Sequence, residues 1–214
     1  MPEMIALPVD IPNVPFHSQL QEIQSTTWQQ QGCGITSLAM VIDYYTSDPV
    51  SVETLLTQGI AAGAYIQNAG WSYKGLIDVS KKYGLKGNSF DFKTENSKTA
   101  LASLTSLLKD GPVIASIYYK FDPKNPLPHM VVIEGIENNI VYYNDPATRT
   151  GGKQISITDF LTGWKKRGIV IRPVVATALS MDTAAETPLF SLYLRYILQD
   201  LRSGSLPAST PPLS

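Results

Sequence analysis

The chain has 214 residues, 43% of them hydrophobic and 16% charged, with a formal net charge of −1. That length suits one domain or one domain plus an appendage, and the composition excludes wholesale disorder. The near-neutral charge, without a basic stripe, excludes the phosphate-neutralising surface that nucleic-acid binding requires.

The first residues, MPEMIALPVDIPNVP, show neither a basic n-region nor a continuous apolar h-region, so no signal peptide is expected. No apolar run reaches membrane-span length, which predicts a soluble chain and leaves its compartment open. Residues 1–32 are rich in Pro and Gln without periodicity, and read as an extended arm with a short strand at Val14 to Phe16. Ile35, Leu38, Ile42 and Tyr45 then recur at helical spacing, with Ala39 on the same side, so an amphipathic helix starts at or just after Cys33. A shorter helix is expected from Val52 to Gln58, another from Tyr73 to Tyr83 with Gly84 as its C-cap, and a third from Ser97 to Lys109.

Asp110-Gly111-Pro112 stops that third helix, and the texture changes. PVIASIYYK (112–120) is β-branched and aromatic, and therefore strand-like. MVVIEGI and IVYYN follow as a hairpin turning at Asn138-Asn139. Lys153 to Ile157 and Ile169 to Arg172 read as further strands, with a short helix at Asp159 to Lys166 between them. Helices first and strands later is the order of an α+β fold. Beyond residue 173 an extension is expected, with one helix over 188–203 and a flexible tail. The stripe Phe190, Leu194, Ile197 and Leu201 suits docking on the core or contact with a protein partner.

There is a single cysteine, which excludes an intramolecular disulfide and a zinc site built on several thiolates. Cys33 stands in Gln31-Gly32-Cys33-Gly34 at the mouth of a predicted helix. There the unpaired N–H groups and the positive end of the dipole stabilise a thiolate. The flanking glycines let backbone and substrate approach closely. The two histidines are His17 and His129. His129 opens a predicted strand, a rigid mount for the base that activates a thiol. His17 lies within the arm and reads as a packing residue. Asp145 follows His129 by sixteen residues. A turn at Asn138-Asn139 brings it back near residues 131 and 132. Adjacent strands are about 4.8 Å apart, so its carboxylate reaches the imidazole if the turn register puts both on one face. An aspartate there sets the histidine tautomer. An oxyanion also needs donors. The Cys33 N–H is one, and Gln19, Gln21, Gln24, Gln29, Gln30 and Gln31 all offer amides among which spacing does not choose.

VPFHSQ (14–19), W…GCGITSLAMVIDYY (28–45), the Gly-Leu helix at 75–83, LLKDGPVIASIYY and HMVVIEGIENNIVYYNDPA together resemble the bacterial papain-like peptidases related to the double-glycine leader peptidases of bacteriocin exporters, over roughly residues 12–173. The resemblance implies a papain-like α+β fold, a cysteine peptidase working through a thioester acyl-enzyme, and a triad falling on Cys33, His129 and Asp145. It assigns the oxyanion glutamine to Gln19, which closes VPFHSQ. The family's glutamine stands only a few residues before its cysteine. Here Gln19 precedes Cys33 by fourteen residues, so a loop inserted over 20–31 is implied and Gln24 stays open. Gly-Cys-Gly replaces the frequent Asp-Cys-Gly, Pro128 stands where a small residue is common, and no transporter domains follow.

The expected partner is a peptide or protein substrate. No metal motif or phosphate loop is visible, and no cofactor is expected. Competing readings are a catalytically silent binding protein on the same scaffold, a transpeptidase and a cell-wall amidase. Trp28, Trp71 and Trp164 read as core anchors, the first two in loops that border a cleft.

Overall fold

A computed structural model describes residues 11–174. The extension expected beyond residue 173, with its helix over 188–203, lies outside the described residues apart from Val174. The helices are α1 (Gln19–Glu22), α2 (Thr26–Gln29), α3 (Cys33–Tyr45), α4 (Val52–Ala61), α5 (Tyr73–Ser80), α6 (Ser97–Leu108) and α7 (Ile157–Gly163). The strands are β1 (Tyr65–Ile66), β2 (Gly70–Trp71), β3 (Leu85–Asp91), β4 (Val113–Tyr118), β5 (Pro128–Glu137), β6 (Ile140–Asn144), β7 (Lys153–Ser156) and β8 (Trp164–Pro173). Strands β3-β8-β4-β5-β6-β7 form one antiparallel sheet, and β1 and β2 pair as a separate small ribbon.

The continuous apolar runs of β4 and β5 follow from their place at the centre. Ile114, Met130 and Val132 point into a core with α3, α4 and α5, where Ile35, Leu38, Ile42 and Leu55 are buried. The alternate residues Val113, Ala115, Val131 and Ile133 point into a second core with Leu104 of α6 and Phe160 of α7. A strand buried on both faces shows no alternation, so it reads as one hydrophobic run. Each fully buried Leu, Ile or Phe contributes about 1.5–3 kcal/mol relative to exposure. Short polar side chains set the helix starts: Ser51 accepts from Thr54 N–H, Ser72 from Gly75 N–H and Asn96 from Thr99 N–H. Gly84 adopts φ 71° after the 3₁₀ turn Lys81–Tyr83, the left-handed cap that a glycine supplies without steric cost.

The expected helices at Val52, Tyr73 and Ser97 are all present, and the hairpin turns at Asn138 and Asn139. Both asparagines have positive φ (50° and 63°), as the tight turn between twisted strands demands. Three expectations need correction. Val14 to Phe16 is not a strand: Val14 gives its N–H to Glu134 Oε1 (3.2 Å) and its carbonyl accepts from Asn144 Nδ2 (3.1 Å), so side chains take the place of a ladder. The arm is not extended throughout, because α1 and α2 each make one helical turn. The helix expected to reach Lys166 ends at Gly163, and Trp164 already begins β8.

No helix among the described residues is long and apolar enough to cross a membrane.

Candidate active site

Cys33 is the first residue of α3, capped by Gly32 without any side-chain bond to the free N–H groups. Both neighbouring glycines are required by close approach. A Cβ on Gly34 would stand 2.7 Å from Trp71 Cβ, and one on Gly32 would stand 2.4 Å from Ile23 Cδ1. The space beside Cys33 is thus filled by the protein's own Trp71 and arm, rather than left open for substrate on these two sides. Trp71 is fixed there by its Nε1–H, which donates to the Gln31 carbonyl at 2.7 Å.

Helix α3 lies against β5, and Ser37 Oγ donates to the Met130 carbonyl at 3.4 Å. One helical turn back from Ser37 is Cys33, and one residue back from Met130 is His129. The juxtaposition of thiol and imidazole follows from that packing: both line one cleft, and Cys33 is near enough to raise the His129 pKa. The other face of the pair is Asp145, whose Oδ1 lies 2.7 Å from His129 Nε2. With Nε2 engaged by the carboxylate, Nδ1 is the ring nitrogen left for the thiol.

The register that makes this bond depends on a β-bulge. Near the turn, Glu137 faces Ile140 and Gly135 faces Tyr142, but beyond Glu134 the pairing shifts so that Ile133 faces Tyr143 and Val132 faces Asn144. Continuing by one residue sets Asp145 opposite Val131, on the same side of the strand as His129. Without the extra residue Asp145 would face Val132 and point the other way. The bulged Glu134 is itself used: its Oε1 accepts from Val14 N–H and from Asn144 Nδ2 (2.9 Å). Burial pushes the Glu134 carboxyl up, against the Val14 N–H that lowers it.

Asp145 Oδ1 also accepts from Ala147 N–H at 2.9 Å, which holds the carboxylate in its turn. His129 is only 4% exposed and Asp145 8%. Burial is the largest influence on His129 and disfavours its charged form. The hydrogen bonds from Asp145 and Cys33 and their charges together outweigh it, and its pKa is pushed up to about 10. The edge of Tyr119 packs against the imidazole, with ring centroids 5.3 Å apart.

Gln19, expected as the oxyanion amide, comes to the same place by way of the loop after β6. Its backbone N–H donates to the Pro146 carbonyl (2.9 Å), and Ser18 Oγ donates to the Thr148 carbonyl (2.6 Å). The side chain is 4% exposed, its Nε2 donates to the Gln29 carbonyl at 2.7 Å, and its Oε1 is buried without a partner. An amide nitrogen carries two hydrogens, so one remains after the bond to Gln29. Gln24 stands apart, its backbone N–H bonded to Glu53 on the surface. Cys33, His129 and Gln19 line one cleft of about 580 Å³. The ribbon β1–β2 adds Trp71, expected to border a cleft, and Tyr65, which a two-residue strand pair does not signal in sequence; Trp28 does not line it. His17 is held by Glu22 at Nδ1 and Asp43 at Nε2, both at 2.8 Å, and does not line the cleft. Among the described residues no three His, Cys, Asp or Glu side chains are grouped to hold a metal ion.

A thiol on a helix start facing a histidine on a sheet is the arrangement of a papain-like cysteine peptidase. Residues 11–170 match the model of the Peptidase_C39 like family, and the chain belongs to that family. It is 25% identical over 146 residues to the pediocin PA-1 transport/processing ATP-binding protein PedD of Pediococcus acidilactici, a match covering 68% of this chain and 18% of that protein. The chain thus spans under a fifth of the length of this relative. Two solved structures share the fold. One is a double glycine motif protease from an AMS/PCAT transporter, determined in complex with the leader peptide (23% identity, TM-score 0.52, covering 76% of this chain and 93% of that one). The other is a putative C39-like peptidase from Bacillus anthracis (20% identity, TM-score 0.53, 74% and 94%).

Proposed function

We propose that this cysteine peptidase cleaves peptide bonds through Cys33, His129 and Asp145, with Gln19 and the Cys33 N–H as the oxyanion donors. The observation that carries the reading is the His129 imidazole bonded to Asp145 and raised in pKa by the neighbouring Cys33, with Cys33 and His129 lining one cleft. A histidine kept protonated at neutral pH is the counter-ion a thiolate needs and the acid a leaving amine needs.

In the first half-reaction Cys33 Sγ attacks the carbonyl carbon, and the oxygen takes up the negative charge. That oxygen is met by the Cys33 N–H, with the positive end of α3 behind it, and by the free Gln19 N–H. The C–N bond breaks as His129 gives its proton to the amine, leaving a thioester on Cys33. In the second half-reaction His129 takes a proton from water, the hydroxide adds to the thioester, and the acid leaves with Cys33 regenerated. Asp145 holds the imidazole so that Nδ1 faces sulfur throughout.

The test is the pH dependence of Cys33 alkylation by iodoacetamide in the wild type and in His129→Ala. Rapid labelling near pH 6 that disappears in the variant is expected. Slow labelling in both, rising only above pH 8, would sink the triad. A leader-type peptide, the kind bound by the neighbouring double glycine motif protease, is the first substrate to try in an internally quenched format.

A further inference from the structure

Strand β8 enters the sheet with a defect beside the cleft. Ile117 of β4 faces Trp164, but its neighbour Ser116 faces Arg167, so Lys165 and Lys166 are two residues without an opposite number. Lys166 sits at φ 54°, a left-handed conformation that a lysine adopts at a cost. The loop is not slack. The Lys166 carbonyl accepts from Phe92 N–H at 2.7 Å, and its Nζ donates to the Glu95 carbonyl at 2.8 Å. The strain is thus held by bonds on both sides, and its result is that Lys165 and Arg167 both reach the wall of the cleft that holds Cys33 and His129. Bulges re-aim side chains in this way next to active sites.

The position is set by the ladder. His129 on β5 faces Ile117 on β4, and Ile117 faces Trp164 at the start of the bulge on β8. Two strand spacings separate His129 from the bulge, about 10 Å, which an extended peptide covers in about three residues. Neither Lys165 nor Arg167 makes a salt bridge among the described residues. Lys165 Nζ lies over the Tyr118 ring at 4.6 Å from its centroid. Arg167 keeps a buried Nε without a partner and is felt by Asp91, which is itself paired with Lys93. A second hollow of about 460 Å³ shares Lys165 and Arg167 and adds Lys93 and Lys166, so this end of the cleft is cationic. The same cleft is also lined by Tyr65 and Trp71, whose rings are in edge contact.

From this we infer that Lys165 and Arg167 form a carboxylate-recognising subsite, which selects substrates carrying a negative charge within about three residues of the scissile bond. The inference rests on the peptidase reading of the cleft. The carboxylate has two sources, an acidic side chain or the free C-terminus of a short peptide.

Both are measured by the second-order rate at which Cys33 displaces iodide from N-iodoacetyl peptides. The full chain is treated with iodoacetyl glycine, diglycine and triglycine, each as free acid and as amide. A side-chain pair, iodoacetyl glycyl-glutamate amide and glycyl-glutamine amide, completes the set. The charged member is expected to react faster by on the order of tenfold at one preferred length, the scale of one charge-assisted hydrogen bond. The preference is expected to fall in Lys165→Gln and Arg167→Gln and to vanish in the double variant, while Lys86→Gln, opposite Arg172 near the other end of β8, keeps it. Acid and amide are compared within each variant, so partial misfolding moves both rates and leaves their ratio. Preference for the free acids alone assigns the subsite to a C-terminal carboxylate; preference for glutamate over glutamine assigns it to a side chain. Reaction without any charge preference, or a preference that survives the double variant, overturns the subsite and leaves the peptidase reading intact. A thiol inert to acids and amides alike overturns the peptidase reading and the subsite with it.

Discussion

The two histidines of this chain live in opposite circumstances although both touch carboxylates at nearly the same distance. His17 has a carboxylate on each ring nitrogen, Glu22 and Asp43, both at 2.8 Å. His129 has one, Asp145 at 2.7 Å, and offers its other nitrogen to Cys33. The first ring is fully used in tying α1 to α3 and can do no chemistry without breaking the fold. The second is bonded by one carboxylate, which on the proposed mechanism leaves it able to exchange a proton with Cys33. On the proposed mechanism, what sets His129 apart is the ring nitrogen left for a reacting group, not proximity to acid.

The comparison is sharpened by substitution. Around His129 the largest effect is expected for Gln19→Ala, which removes the proposed oxyanion donor and should lower kcat on a quenched peptide by about 10²–10³, with KM little changed. A drop confined to KM would make Gln19 a substrate contact instead. Asp145→Ala should lower kcat/KM by roughly 10², the lower end of what positioned acid–base groups supply, because the ring keeps its Cys33 contact but loses its orientation. Asp145→Asn retains an acceptor oxygen and should lose less. If both variants behaved as wild type, the 2.7 Å bond would be structural like those of His17.

Around His17 the expectation reverses. His17→Gln should cost about 2 kcal/mol of stability by urea unfolding, through the buried Asp43 carboxylate it leaves short of a partner, with turnover at the wild-type level. The last expectation is a pH dependence of stability. Folding raises the His129 pKa from 6.5 to about 10. A group raised on folding stabilises fully below its unfolded pKa and loses that contribution as pH rises through the folded one. Urea midpoints should therefore decline between pH 7 and 10 in the wild type and decline less in His129→Gln.

How much of this could be read from the chain depends on what each feature leaned on. Helix α3 carries its own apolar spacing, and Asn138-Asn139 its own turn chemistry, so both are visible residue by residue. The approach of Asp145 to His129 is half visible. The hairpin predicts nearness, but the face is decided by the bulge at Glu134, which only the partners Val14 and Asn144 explain. Strand β3 is invisible for the converse reason. Only Leu85 in it is buried, so it has no two-residue alternation and owes its shape to pairing with β8. The one-turn helices α1 and α2 are too short to hold themselves in water and exist because the arm is docked. Spacing does not choose among the glutamines, since what brings Gln19 to the cleft and leaves Gln24 off it is a hydrogen bond to Pro146, far along the chain.

That last bond, with those of Ser18 to Thr148 and of Val14 to Glu134, joins residues 120 to 130 positions apart. Closing such loops is entropically slow, and the reward comes only when the distant partner is already in place. A nascent chain has made Cys33 long before His129, and Gln19 lacks its Pro146 partner until the turn after β6 has been synthesised. A half-made chain therefore carries Cys33 without the later residues that line the cleft with it, His129 among them.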